Sequence, residues 1–306
     1  MTGGPLSVII VNYNAGRLLR DCLASLWPQL DRGSEVFLVD NASNDGSTTG
    51  LEEKFSGITL ISNSQNVGFS RATNQALRLS RGAYILLLNP DVVLEPGALQ
   101  VALKHMEDDP QTSVLGAKMM LPTGQPDPAA HRSFKTASTY FYKVLGLSRL
   151  FPSHPRFGRY YLSYVGPQSF MDVDAVVGAF LLIRRSVVNT IGFLDERFYM
   201  YCEDEDWCWR VKQAGGRVVY HPGVVTHHWK GTSSRQMPMR MIYHWHRSLF
   251  LYHRKNIAPH YSFLSNSVVY CGIFMIMVFR LLFQALRQRL TFGTRSNGEV
   301  RQWQGH

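Results

Sequence analysis

The chain has 306 residues, 45% of them hydrophobic and 18% charged. That composition excludes a disordered or collagen-like chain, and the length allows one large domain or two smaller ones. The net charge is +10, but residues 1–215 carry 20 basic against 21 acidic side chains, and residues 216–306 carry 12 against 1.

The whole excess therefore lies in the last third. It admits three partners: nucleic acid, an anionic membrane surface or a phosphorylated substrate. Four cysteines without a CxxC pair argue against a disulfide framework or a structural zinc site and favour a reducing, cytosolic setting. MTGGPLSVIIVNYN lacks the basic and long apolar regions of a signal peptide.

Taken in chain order, LSVIIV at 6–11 is β-branched and wholly apolar, the mark of a buried strand. Leu18, Leu19, Cys22, Leu23 and Leu26 follow at helical spacing, and Pro28 ends that run. EVFLV at 35–39, ITLIS at 58–62 and YILLL at 84–88 are further strands, with a helix expected over 69–80. Short apolar strands alternating with helices imply βαβ units and a parallel sheet covered on both faces. Residues 122–170 hold six prolines among aromatic and basic residues, and read as irregular structure between two ordered halves. Residues 172–185 and 217–220 return to strand character, and 203–214 is expected to be a helix.

Residues 263–286 are apolar. Val268–Phe279 is an uncharged run of 12 residues, shorter than the roughly 20 needed to span a bilayer. A buried helix, an interfacial helix and a spanning helix are all compatible with this stretch.

Three places could carry chemistry. Asp40-Asn41 and Asn89-Pro90-Asp91 stand at the ends of expected strands, where parallel α/β sheets bind ligands. Asp91 could hold a divalent metal, or could simply be a turn aspartate between two prolines. Glu203, Asp204, Glu205 and Asp206 could cap a helix N-terminus, or one of them could be a general base. His227-His228 could be a hydrogen-bonded loop pair or could ligate a metal. No Walker, GxGxxG or GxSxG motif occurs.

In this order, seven segments resemble the family 2 glycosyltransferases with the GT-A fold, over about residues 6–255. They are VIIVNYN (8–14), VDNASNDGS (39–47), NVGFSRATNQA (66–76), LLLNPDV (86–92), GAFLLIRR (178–185), GFLDERFYMYCEDEDWCWR (192–210) and HHWKGTS (227–233). Several are similar to the subgroup containing bacterial rhamnosyltransferases of cell-envelope polysaccharide synthesis. The resemblance implies an α/β, Rossmann-like, mostly parallel sheet flanked by helices, with a C-terminal membrane-associated helical segment. It implies a nucleotide-sugar-binding half over 1–120, an acceptor-binding and catalytic half over 121–260, and a basic, apolar tail over 261–306.

By the same resemblance, Asp204 is the catalytic base, supported by Glu203, Asp206 and Arg210. Asp40 contacts the donor's base or ribose, and Asn12 and Tyr13 line the base pocket. Asn41, Gly68, Asn74 and Asn89 fall on the donor side. Asp91 is the last acidic position of the family's DxD motif, with Asn89 standing where the first Asp would be. His228, followed by Gly231 and Ser233 at the usual spacing, joins Asp91 at a Mg²⁺ or Mn²⁺ ion.

The implied reaction is an inverting transfer from a dTDP-, UDP- or GDP-linked sugar. The best guess for the donor is dTDP-rhamnose. The acceptor is expected to be polyprenyl-diphosphate-linked or a glycan, met at the cytoplasmic face of the membrane. Rival readings are a nucleotidyltransferase, which would want a phosphate loop where NYNAGR stands, and a non-enzymatic membrane-surface binding protein. Nucleic acid becomes the least expected partner, since the two acidic motifs would repel it.

Overall fold

The computed structural model describes residues 5–229 and 238–299. The strands are β1 (Leu6–Asn12), β2 (Glu35–Asp40), β3 (Ile58–Ser62), β4 (Tyr84–Leu88), β5 (Val92–Leu94), β6 (Thr112–Met120), β7 (His131–Arg132), β8 (Met171–Asp172), β9 (Ala175–Val176), β10 (Phe180–Arg184) and β11 (Arg217–His228). The helices are α1 (Arg17–Leu26), α2 (Leu51–Lys54), α3 (Phe69–Leu79), α4 (Ala98–Asp108), α5 (Ala137–Val144), α6 (Leu147–Leu150), α7 (Arg185–Ile191), α8 (Glu203–Gln213), α9 (Pro238–Tyr252) and α10 (Phe263–Glu299).

The chain divides into two compact units, 1–233 and 234–306. In the first, one sheet runs β3-β2-β1-β4-β10-β6-β11-β5, with β8 on β11. Strands β3, β2, β1 and β4 are parallel, as the alternating pattern predicts. β10 enters antiparallel between β4 and β6, so the sheet is mixed. All five residues of β4 are buried, and the strand runs inside the sheet between β1 and β10. Burial of each large apolar side chain contributes about 1.5–3 kcal/mol. β3 forms the sheet edge, and its Leu60 is exposed.

Three expectations change. The 172–185 stretch is not one strand but β8, β9 and β10, with Gly178 leading into the last. The short 217–220 strand extends to His228 through a register shift between His221 and Val225. Residues 122–170 are not uniformly irregular: they contain β7, α5 and α6, and β7 pairs with β9.

The second unit begins earlier than residue 261, because α9 and α10 pack on each other. The Tyr270 and Phe250 rings meet tilted at 4.8 Å, and Asn266 bonds His253 at 2.9 Å. Ile273 points inward at 6% exposure. On the opposite face, Leu264, Val268, Cys271, Met275, Val278, Leu282 and Leu286 recur at three- and four-residue spacing, and all are exposed. Phe263–Gln288 is long and apolar enough to cross a membrane, judged by length and composition.

Candidate active site

Parallel β1, β2 and β4 end on one edge of the sheet, and their last residues carry the polar groups. Asn12 ends β1 and Asp40 ends β2, in register with each other. The Asn12 amide donates to Asp40 Oδ1 at 2.9 Å and to Ser47 Oγ at 2.8 Å. Its own Oδ1 is buried without a partner. Tyr13 follows on the same edge, half-buried. Asn41 hangs between loops: its Nδ2 donates to Asn66 Oδ1 at 2.9 Å, and its Oδ1 accepts from Val67 N at 3.0 Å. Asn14 and Ala42, just beyond β1 and β2, both have positive φ, a strained conformation that marks ligand-facing loops.

Gly68 precedes α3 with φ of 88°. A Cβ there would lie 2.6 Å from the Tyr199 carbonyl oxygen, so glycine lets the 199 loop close over this helix. Asn74 departs from its expected place at the donor. It is 1% exposed, and its amide donates to Leu194 O while its carbonyl accepts from Leu194 N. Both ends of its side chain are consumed in fastening α3 to the 194–196 turn.

Beyond β4, the Asn89 N–H donates to Ala179 O at 2.9 Å. Asp91 meets His228 because β5 pairs antiparallel with the end of β11, with Val92 opposite His228. His228 Nε2 lies 3.3 Å from Asp91 Oδ1. That is about the separation of neighbouring ligands around a divalent ion at ~2.1 Å. His228 Nδ1 is buried without a partner. One carboxylate and one imidazole thus lie close enough for a divalent ion to share, in which case the remaining ligands would come from diphosphate and water. Among the described residues no group of three or more His, Cys, Asp or Glu converges to complete the shell from the protein. His227 instead pairs with Glu95 at 3.0 Å on the rim. Gly231 and Ser233 lie outside the described residues.

The acidic cluster opens α8. Tyr201 and Cys202 just before it have φ of 72° and 64°, two consecutive strained residues at a helix start. Glu203 and Asp204 are each 8% exposed, and Glu205 and Asp206 are fully buried. Asp204 Oδ2 accepts from Arg132 Nη2 at 2.7 Å and from Gly178 N at 3.0 Å. Its Oδ1 accepts from Glu205 N at 2.7 Å. The absence of a side chain at Gly178 matters, since a Cβ would sit 3.3 Å from that of Asp204. Gly178 adjoins Ala179, the partner of Asn89, so Asp204 lies at the same sheet edge as the Asn89–Asp91 turn.

Burial pushes the Asp204 carboxyl up, but the charges of Arg132 and Lys135 and the Gly178 N–H outweigh it and hold the group below its ordinary value. Burial and then the Asp204 charge push Glu203 up to about 8. The two neighbouring carboxylates are thus pushed in opposite directions, Asp204 down by its cations and Glu203 up by burial and by the charge beside it. Asp206 and Arg210 pair with each other at 3.1 Å, and Arg210 also bonds Ile191 O. Their support of Asp204 is indirect, through the placing of α8.

Sequence reasoning missed Arg132, Lys135 and Gly178. Lys135 pairs with Glu205 through both its ammonium and its backbone N–H. The signal was HRSFK at 131–135, two cations three residues apart, hidden in a stretch that reads as irregular.

Comparison with known proteins follows this geometry. The N-acetylglucosaminyl-diphospho-decaprenol L-rhamnosyltransferase of Mycobacterium tuberculosis is 29% identical over 258 residues, 81% of this chain and 83% of that protein. The rhamnosyltransferase WbbL of Escherichia coli is 25% identical over 275 residues, 86% of this chain and 98% of the relative. The mannosyltransferase PcManGT of Pyrobaculum calidifontis, solved with GDP-Man and Mn²⁺, superposes with a TM-score of 0.56 at 17% identity, covering 99% of this chain and 82% of that one. GalNAc-T7 with UDP, GalNAc and Mn²⁺ gives 0.56 at 15% identity, over 78% of this chain and 48% of that one. These likenesses bear out the GT-A arrangement. The description "Glycosyl transferase family 2" matches residues 7–192, more than half of the sequence, and the chain belongs to that family.

Proposed function

We propose that the protein transfers a sugar, with inversion, from a nucleoside diphosphate donor to a hydroxyl of a lipid-linked acceptor. Asp204 serves as the general base. The single observation behind this reading is a buried carboxylate held ionised by Arg132 and the Gly178 N–H, at the edge where Asp91 and His228 converge. A base must be ionised before the acceptor hydroxyl arrives. Oδ1 of Asp204 takes one hydrogen bond, so a lone pair is open to that hydroxyl.

In the transfer step the acceptor oxygen attacks the anomeric carbon and its proton passes to Asp204. The bond from that carbon to the diphosphate breaks, and its electron pair leaves with the diphosphate. Asp91 and His228 would hold a Mg²⁺ or Mn²⁺ ion, which supplies positive charge against the departing diphosphate. Asn12, Tyr13, Asp40 and Asn41 would receive the nucleoside. Two solved neighbours contain Mn²⁺ with a nucleotide or nucleotide sugar, which supports the metal.

The donor we favour is dTDP-rhamnose, and the acceptor a polyprenyl-diphosphate-linked sugar. The names of the mycobacterial and Escherichia coli relatives support this. The exposed apolar face of α10 and the basic surplus of the last third support work at the cytoplasmic face of a membrane. Family membership replaces the nucleotidyltransferase and non-enzymatic readings.

The test is Mn²⁺-dependent thermal stabilisation by dTDP-, UDP- and GDP-sugars, followed by turnover of the best one. Asp204→Asn should keep donor binding and lose transfer. Near-normal turnover in that variant would sink the assignment.

A further inference from the structure

Glu203 and Asp204 are adjacent, equally exposed and chemically alike, yet only one can be the base. Their partners differ. Glu203 Oε2 is buried with no hydrogen-bond partner, whereas both oxygens of Asp204 are held. The larger external charge on Asp204 comes from its ion-pair partner Arg132, whose side chain, like that of Asp204, is 10% exposed, and Lys135 adds to it.

Arg132 is itself fixed. It pairs with Ala175 in the β7–β9 ribbon, and the next residue donates its N–H to Tyr160 O at 2.9 Å. Three residues on, Lys135 clamps Glu205 through main chain and side chain. The 132–135 segment therefore lays two cations along α8, Arg132 paired with Asp204 and Lys135 with Glu205, and their charges reach Glu203 without an ion pair. A buried carboxylate beside a cation is ionised in preference to one without.

We propose that Arg132 is a positioning residue that selects Asp204 over Glu203 as the proton acceptor, by pairing with it and fixing its orientation. The inference rests on the reading of Asp204 as base. Without Arg132, one negative charge is shared between two neighbouring carboxylates, and the pair titrates as a unit. Asp204 is then less often ionised, and its basic form appears at higher pH.

The experiment is release of nucleoside diphosphate, with Mn²⁺ and water as acceptor. The donor is whichever of dTDP-rhamnose, UDP-N-acetylglucosamine and GDP-mannose the wild type hydrolyses fastest. kcat and KM are followed from pH 5 to pH 9 in Arg132→Met, Arg132→Lys, Glu203→Gln and Arg132→Met/Glu203→Gln. Arg132→Met should lower kcat about 10²-fold, shift the acid limb of the kcat profile to higher pH and leave the donor KM in place. Arg132→Lys should keep the acid limb near that of the wild type. Adding Glu203→Gln to Arg132→Met should recover part of the lost rate, because glutamine cannot compete for the charge.

A lowered kcat with an unmoved acid limb would overturn the proposal. So would a raised donor KM with unchanged kcat, or an acid limb in Arg132→Lys displaced as far as in Arg132→Met. Circular dichroism melts check the fold. Should Arg132→Met not fold, Arg132→Gln, which drops the charge and keeps a hydrogen bond, decides the acid limb. The two readings fail differently. Turnover in Asp204→Asn strikes at the base itself, whereas a dead Asp204→Asn beside an unmoved limb strikes at Arg132 alone.

Discussion

Helices α8 and α10 both break the rule that apolar groups go inside and charges outside, in opposite directions. The first turn of α8 buries four carboxylates, two of them completely. The outer face of α10 leaves Phe263 88%, Phe274 60% and Phe279 68% exposed. The two departures have different supports. Each charge that α8 buries costs several kcal/mol unless it is paired, and Arg132, Lys135 and Arg210 sit against Asp204, Glu205 and Asp206. Among the described residues of the second unit none covers the apolar face of α10, which leaves it open to an outside partner. A buried acidic cluster with its own cations is thus read as machinery, and an uncovered apolar stripe as a docking face.

Breaking that contrast at α8 has the largest expected effect. Asp204→Asn should cost on the order of 10²–10⁴ in kcat, while calorimetry shows the nucleotide sugar still bound. On α10, the double change Phe274→Glu and Phe279→Glu should abolish most co-sedimentation with anionic phospholipid vesicles. The soluble fold and donor turnover should persist. Pelleting equal to wild type would remove this face from the membrane reading.

Asp91→Asn should weaken Mn²⁺-dependent nucleotide binding at least about tenfold, measured by thermal shift with and without the metal. Equal shifts in both proteins would place the ion elsewhere. Gly68→Ala should destabilise the first unit by about 1–3 kcal/mol, because the new Cβ meets the Tyr199 carbonyl and the backbone is strained.

The last prediction concerns Glu203. Its carboxyl is pushed up to about 8 by burial and by Asp204, so the folded protein binds more protons than the unfolded chain between its ordinary value and about pH 8. Stability from this group is full at low pH and falls as pH rises through that window. Glutamine does not titrate, so the Tm of Glu203→Gln relative to wild type should climb from pH 5 to pH 8. A constant difference would contradict a neutral Glu203.

Much of the sheet was legible because its strands are short, apolar and β-branched. YILLL at 84–88 and VIIV at 8–11 had few other places to go than a buried parallel sheet. ITLIS at 58–62 also reads as a strand yet lies at the edge, since a strand pattern does not record strand order. Asp40 and Asp91 were legible as strand-end acids. The meeting of Asp91 with His228 was implied by the family resemblance alone and not by the residue pattern, because it depends on β5 pairing with a β11 much longer than RVVY suggests.

Sequence alone determined the family, the alternation of strands and helices, the acidic cluster and the late basic, apolar stretch. All of these are local patterns, carried by neighbours along the chain. Tertiary structure decided which acid Arg132 pairs with, what Asn74 is used for and which face of α10 stays open. Those depend on partners far away in sequence: Arg132 stands 72 residues from Asp204, and Leu194 stands 120 from Asn74. Burial and pairing at such separations arise only when the sheet has brought the segments together, and they set the chemistry that the motif by itself leaves open.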